Sequence, residues 1–299
     1  MHEHTHSHGT GTVLKWSLAV TVLFVLVEFA AGLEAHSLAL LSDAGHNLTD
    51  AVALLLALFA FHFQSKPPDE VRTFGYHRAG VLAAFVNALA LLLLSGFIFF
   101  ESYRRLLDPP EVHTGIMLVV AVLGLLVNTG VMWGLHRDSA HDLNIRGAFL
   151  HMLGDALGSV AIIAGAITIR YTGWRHIDPI LSILIAALIV WTAWAIVRES
   201  LNILLEGLPK GLKLSTVEQA MRRVEGVIGV HDLHIWSLGS SVHALSCHVR
   251  IEDVPLSESE TILERLNLML RDRFDIRHTT VQFEHTNCAL PGSGCCLPH

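Results

Sequence analysis

The chain has 299 residues, of which 52% are hydrophobic and only 16% charged, with a formal net charge of −7. A soluble domain carries about a quarter charged residues, so an ordinary soluble protein is excluded, and the lack of a basic tract argues against nucleic acid as a partner. Twenty histidines against four cysteines is the second bias; Cys247 stands alone and Cys288, Cys295 and Cys296 cluster near the end, which is not the spacing of a secreted disulfide framework.

In chain order, residues 1–12 carry His2, His4, His6 and His8 and lack apolar residues to bury, so they read as a flexible tail, too polar for a cleavable signal peptide. The tail either captures metal weakly or is simply solvated. Six apolar stretches follow, at about Val13 to Gly32, Ser37 to Phe63, Ala79 to Phe100, Thr114 to Leu135, Ile145 to Tyr171 and Ile177 to Val197. Each can cross roughly 30 Å of hydrocarbon at about 1.5 Å per residue. An even number of spans puts both termini on one side. With the termini inside, that face holds Lys15, Lys66, Arg72, Arg78, Arg137, Arg146, Arg198, Lys210 and Lys213, and the other only Arg104, Arg105, Arg170 and Arg175. Basic residues favour the cytoplasmic face, so both termini are expected there.

Past about Gly207 the pattern changes, with Pro209-Lys-Gly211 expected to break the last helix. Thr216 to Val224 and Ser257 to Phe274 show helical periodicity, whereas Val227 to Leu238, Val242 to Ile251 and Thr279 to Phe283 alternate like strands. The expected fold is thus a six-helix α-helical membrane domain over 13–206, with a small cytoplasmic α+β domain over 207–287 in the ferredoxin-like order αββαβ. A cysteine-containing tail, 288–299, ends the chain.

Two spans hold unusual polar residues. The second contains Ser42-Asp-Ala-Gly-His-Asn-Leu-Thr-Asp50, with His46-x-x-x-Asp50 inside it, and the fifth repeats the pattern as His151-x-x-x-Asp155. Residues four apart share a helix face, so each pair presents an imidazole beside a carboxylate. Two facing pairs supply two nitrogens and two oxygens, a full tetrahedral set for a first-row divalent metal. Ionisable groups are costly in lipid and usually mark an ion path; the plainer reading is a polar seam between helices. A catalytic zinc keeps one position open for water, so four filled positions point to carriage rather than catalysis. Asp43, one turn before His46, either orients a ligand or is a polar residue at the helix entry. Glu28, Asn87 and Asn128 read as interhelical packing.

The two His-x-x-x-Asp pairs, the segment Phe74-Gly-Tyr-His-Arg-Ala-Gly80, six spans and a small α+β tail together resemble the cation diffusion facilitator family of zinc transporters, over about residues 12 to 290. The resemblance implies a homodimer that exchanges cytoplasmic Zn(II) for protons, with His46, Asp50, His151 and Asp155 as the transport site. Cobalt and cadmium are further candidate substrates. Some relatives bear another metal site between the second and third spans, built from an aspartate and two histidines. Here Asp69 is present, but Arg72 and Tyr76 stand where the imidazoles align, so that site is expected to be absent or altered.

In relatives the cytoplasmic domain binds metal at the dimer contact. Aligning on His231-Asp-Leu and Ser246-Cys-His-Val249 implies His231, His248 and then Glu284 as ligands, with Cys288, Cys295 and Cys296 as possible thiolate donors. His234, His243, His278 and His285 also lie on or near the strands. No prosthetic group and no enzymatic activity are expected; Zn(II) is substrate and regulatory ligand, in a bacterial inner membrane. The rival readings are a membrane metal sensor or accessory subunit, and an integral-membrane metalloenzyme.

Overall fold

Apolar runs of this length satisfy their backbone polar groups in lipid only as helices or closed barrels, and long helices are what the described residues in the first two-thirds of the chain mainly form. The computed structural model describes residues 22–64, 68–135, 143–239 and 242–285, and of the side chains in these segments those at 53–54, 57–64, 134–135 and 143–148 are outside the description. The N-terminal histidines His2 to His8 and Cys288, Cys295 and Cys296 also lie outside the described residues.

A helix over 22–34 (α1) is followed by α2 (Leu38–Gln64), α3 (Ala79–Leu107), α4 (Thr114–Leu135), α5 (Leu143–Thr172) and α6 (Ile177–Leu204). Among the described residues four helical segments are long and apolar enough to cross a membrane: Ala79–Leu107, Thr114–Trp133, Phe149–Thr172 and Ile177–Leu204. That is four against the six expected. The first expected span begins outside the described residues, and α2 interrupts its apolar run with Ser42, Asp43, His46, Asn47, Thr49 and Asp50. Large apolar side chains such as Leu93, Trp133 and Trp191 face outward, as suits contact with lipid.

The described residues form two compact units, one of residues up to Leu55 with Val86–Ala195, the other of Leu56–Phe85 with Ile196 onward. In the first, Ala39 and Leu40 of α2, Met117 and Ala121 of α4, and Ile162 and Ala166 of α5 share one buried cluster. Small residues let these helices approach closely. A Cβ on Gly165 would lie 2.4 Å from Leu181 of α6, and one on Gly45 would lie 2.8 Å from Leu94 of α3.

In the second unit α7 (Leu214–Met221), β1 (Gly229–Ser237), β2 (His243–Arg250), α8 (Leu256–Phe274) and β3 (Ile276–Glu284) follow in the order αββαβ. The sheet order is β1-β2-β3, with β1 and β2 antiparallel and β2 and β3 parallel. Val217 and Met221 of α7 and Ile262, Leu266 and Leu270 of α8 bury against Ile235, Leu245 and Val249 of the sheet. Cys247 belongs to this core, and burial pushes its thiol up to about 12.

Several boundaries differ from expectation, and for two of them the backbone shows the cause. The last long helix is ended not by Pro209-Lys-Gly211 but earlier, where Glu206 takes φ 60° and the Gly207 N–H returns to Asn202 O at 2.7 Å. The third strand begins at Ile276 rather than Thr279, because Asp275 closes α8 in the left-handed conformation (φ 52°) and feeds the chain straight into the sheet.

Candidate metal centres

In the first unit α2 and α5 bring His46, Asp50, His151 and Asp155 together. Asp50 Oδ2 lies 3.6 Å from His46 Nε2 and 3.2 Å from His151 Nε2. Asp155 lies 3.9 Å from His46 Nε2 through Oδ1 and 3.7 Å from His151 Nε2 through Oδ2. Zinc bonds of about 2.0–2.1 Å put neighbouring donors of a tetrahedron roughly 3.3 Å apart, so all four cross-distances are near that edge. Donor atoms of His46, His151 and Asp155 all fall within 4.8 Å of one another. Asp50 Oδ2 is buried, faces two imidazole nitrogens and makes no hydrogen bond, and His46 Nδ1 is likewise without one. A buried acceptor left in that state costs about 1–3 kcal/mol, a cost that a bound cation removes.

The neighbours of this cluster explain how α2 is held. Asp178, buried at the start of α6, accepts hydrogen bonds from Ser37 Oγ at 2.6 Å, Leu38 N–H at 2.7 Å and Ala39 N–H at 3.3 Å. Its negative charge sits at the N-terminus of α2, where the helix dipole favours an anion. Arg105 of α3 donates to His36 O at 2.7 Å, and the His113 N–H, just before α4, donates to Ala35 O at 2.9 Å, so α3, α6 and the entry to α4 secure the turn before α2. Lower down, Asn47 Nδ2 donates to Glu28 Oε2 at 3.1 Å, and the buried carboxyl groups of Glu28 and Asp43 act on each other. Asp43 therefore pairs with α1. Glu28, expected only as packing, supports the helical turn that carries His46.

Sequence reading passed over Asp178. Asp178-Pro179 opens α6, so spacing alone gives the carboxylate to its own helix as a cap; in the fold it caps α2 instead.

In the loop before α3, Asp69 Oδ1 accepts from the N–H groups of Val71 at 2.8 Å and Arg72 at 2.6 Å, and the Tyr76 hydroxyl donates to Oδ2 at 2.9 Å. Arg72 lies over the Tyr76 ring, 4.9 Å from its centroid. The Arg72 N–H foremost, then the Tyr76 hydroxyl and the Val71 N–H, hold the Asp69 carboxyl below the usual carboxylate range. Two backbone amides and a phenol thus engage the one carboxylate that a metal at this position would need. Arg78, at the end of the same loop, pairs with Glu206 at 3.0 Å.

The cytoplasmic-domain residues also converge. His231 and His248 face each other across β1 and β2, their ring centroids 5.3 Å apart. Glu284, at the end of β3, places Oε1 2.7 Å from His248 Nδ1 and Oε2 3.2 Å from His231 Nε2. Donor atoms of the three lie within 4.8 Å of one another, and His231 Nε2 is buried without a hydrogen bond. That unpartnered nitrogen lies beside a carboxylate, a donor arrangement that a divalent cation would satisfy. The remaining histidines separate from the triad: His278 meets the Phe74 ring edge-on at 5.3 Å, His243 approaches Ser237 Oγ at 3.4 Å, and His285 is exposed.

Residues 14–205 match the model of the cation efflux transmembrane domain, and residues 209–286 match that of the cation efflux protein cytoplasmic domain. The metal cation efflux system protein CzcD of Cupriavidus metallidurans is 44% identical over 287 residues, covering 96% of this chain and 90% of that protein. A cadmium, cobalt and zinc/H(+)-K(+) antiporter of Bacillus velezensis is 40% identical over 287 residues, covering 95% and 91%. The zinc transporter ZitB of Pectobacterium atrosepticum is 42% identical over 290 residues, covering 95% and 90%. A membrane-spanning efflux domain followed by a cytoplasmic domain built on a sheet, with a histidine–carboxylate cluster in each, accounts for all of these observations, and the chain belongs to the cation diffusion facilitator family of cation efflux proteins.

Proposed function

We propose that this protein exports Zn(II) from the cytoplasm in exchange for protons, with His46, Asp50, His151 and Asp155 as the transport site. The observation that carries this reading is the set of four imidazole–carboxylate distances between 3.2 and 3.9 Å, which suits a four-coordinate N2O2 cation. The relatives' names agree, since they include a zinc transporter and a cadmium, cobalt and zinc/H(+)-K(+) antiporter. Four protein donors leave no position for an activated water, which favours carriage over hydrolysis.

Proton exchange follows from the donors themselves. An imidazole binds metal only when neutral and a carboxylate only when ionised, so loading expels protons and protonation drives unloading. Histidine titrates near neutral pH, which makes His46 and His151 the coupling groups. Alternating access then delivers the cation outward and returns protons inward. Cobalt and cadmium are secondary substrates.

The architecture that goes with this function has six spans in a bacterial inner membrane and both termini in the cytoplasm, the protein acting as a homodimer. Residues 1–12 form a histidine-rich tail, 13–206 the transport domain, 207–287 the ferredoxin-like regulatory domain and 288–299 a cysteine tail. In the regulatory domain His231, His248 and Glu284 hold a Zn(II) that reports the cytoplasmic level; the tail residues Cys288, Cys295 and Cys296 are auxiliary donors.

Zinc uptake into proteoliposomes under an outward-directed proton gradient tests the proposal. Gradient-driven uptake by the parent protein and none by Asp50→Ala is expected. Uptake that ignores the gradient would sink the exchange, and uptake that survives the substitution would move the path elsewhere. A parent protein that binds zinc without moving it would be a sensor.

A further inference from the structure

The turn between α1 and α2 places a histidine where glycine is the usual residue. His36 takes φ 53°, its N–H donates to Leu33 O at 3.2 Å, and the N–H of Ser37 returns to Gly32 O at 3.1 Å. These two bonds are the Schellman closure of a helix, whose left-handed residue is most often glycine. A side chain there strains the backbone, and strain of this kind persists where the surroundings use the conformation. The use is visible across the turn. The His36 ring lies 5.8 Å, centroid to centroid, from the ring of His113, with 39° between the planes. Backbone bonds fix both residues, since the His113 N–H donates to Ala35 O at 2.9 Å and Arg105 donates to His36 O at 2.7 Å. His113 also opens α4, its carbonyl accepting from the N–H groups of Ile116 at 3.1 Å and Met117 at 3.2 Å. Both histidines belong to the first unit and both are exposed, open to a ligand arriving from solvent.

Histidine rings at this spacing recur in the chain. The rings of His46 and His151 are 5.9 Å apart and those of His231 and His248 5.3 Å, the imidazole pairs of the two clusters described above. A metal about 2.0–2.1 Å from a ring nitrogen lies roughly 3.2 Å from that ring's centre, so one cation spans rings up to about 6 Å apart. We propose that His36 and His113 form a third divalent-cation site, with two imidazole donors and water completing the shell. It suits the borderline divalent ions that favour imidazole, and with half the protein donors it holds them less tightly than the intramembrane cluster. Its place gives it a use. α2, which carries His46 and Asp50, starts at Leu38 just after this turn, and α4 starts at Thr114 directly after His113. A cation gripping both rings therefore ties the start of α2 to the start of α4. In the topology proposed above, this end of α2 lies across the membrane from the cytoplasm, where exported metal arrives. Exported cation bound there restrains the helix whose movement opens the transport site, and so slows its own exporter. That regulation rests on the proposed topology and transport site; the binding site itself does not.

Full-length protein in detergent, with Asp50→Ala and His231→Ala removing a donor from each of the other clusters, reads the site directly. Zinc binding is followed by competition with a chromophoric chelator. His36→Gly and His113→Gln are each expected to lose the same bound zinc, and the double variant no more than either alone. Glycine suits the backbone at φ 53°, so His36→Gly should melt no lower than its parent, which separates loss of a ligand from loss of the fold. Binding unchanged in both variants would overturn the site, as would a loss confined to one of them or a double variant that loses two separate zincs. The second arm uses proteoliposomes of the protein with its other clusters intact. Zinc held in the compartment facing this turn should slow initial zinc transport more in the parent than in His36→Gly or His113→Gln, because back-pressure from the gradient is common to all three. Without metal in that compartment, the three should transport at one rate. Equal slowing in all three would overturn the regulation and leave the site, and slowing by cytoplasmic-side zinc alone would overturn its placement. If the parent moves no zinc at all, the transport reading has failed and the regulation falls with it, while the binding result still decides the site.

Discussion

In the intramembrane cluster the imidazole–carboxylate approaches are all between 3.2 and 3.9 Å, whereas in the cytoplasmic cluster His248 and Glu284 already meet at 2.7 Å. The donor chemistry is the same and the scaffolds are not. The first cluster draws two residues from each of two helices, so its geometry depends on how α2 and α5 are placed against each other. The second draws one residue from each of three neighbouring strands, whose spacing is set by the hydrogen-bonded ladder. A site whose halves sit on separate helices can be opened by moving one helix. One stitched into a sheet cannot open without breaking the sheet. The first is suited to releasing a cation, the second to keeping one.

The comparison breaks most severely if the intramembrane residues are not a unit. His151→Ala should reduce proton-driven zinc uptake to the background of empty liposomes, with normal expression and melting. Retention of half the parent rate would mean that the four donors do not act together. The converse change is Glu284→Gln in the sheet. It should weaken cytoplasmic zinc by about 100-fold or more, since outer partners alone are worth about 10–100-fold, while uptake at saturating metal continues. Loss of uptake at all zinc concentrations would show that the two clusters are not separable.

How much of this was legible in the chain depends on the range of the interaction. The contact within each His-x-x-x-Asp pair follows from helical periodicity, and so does the αββαβ order from the change between periods of 3.6 and 2. The meeting of His46 with Asp155 and of His151 with Asp50 is a property of helix packing, to which spacing gives no direct access. Asp178 was invisible for the same reason, its partners Ser37 and Leu38 lying 141 and 140 residues away. Backbone sign was the other blind spot. Glu206, Asp232 and Asp275 all take positive φ, and none is the glycine that would announce it; two of them moved an element boundary and the third made the bulge beside His231.

Smaller effects sharpen the contrast. Asp178→Asn keeps the shape but weakens the charge-assisted cap on α2, and should cost about 2–3 kcal/mol of stability along with a raised half-saturation for zinc transport. The cytoplasmic affinity should not move, because the sheet does not depend on where α2 begins. A drop in cytoplasmic affinity would couple the two clusters after all.

The least effect is expected in the loop before α3, where Asp69 is held by Arg72, Tyr76 and Val71. Its lowered carboxyl pKa means the contact is fully present above the ordinary carboxylate range and is lost only as pH falls through the depressed value. Amide exchange at Val71 and Arg72 should therefore stay slow through mildly acidic pH in the parent and lose that dependence in Asp69→Asn. Zinc should change neither profile. Protection that appears only on adding zinc would place a cation in this loop.

The account stands on four residues holding one cation, and X-ray absorption at the zinc edge examines that arrangement most directly. Full-length protein with the sheet triad removed by His231→Ala, loaded with about one zinc per chain, should show about four nitrogen or oxygen neighbours at about 2.0–2.1 Å, two of them with imidazole multiple scattering. Introducing Asp50→Ala should remove one oxygen neighbour. A sulfur shell at about 2.3 Å, or a spectrum indifferent to Asp50→Ala, would contradict the assignment and place the bound zinc elsewhere in the chain.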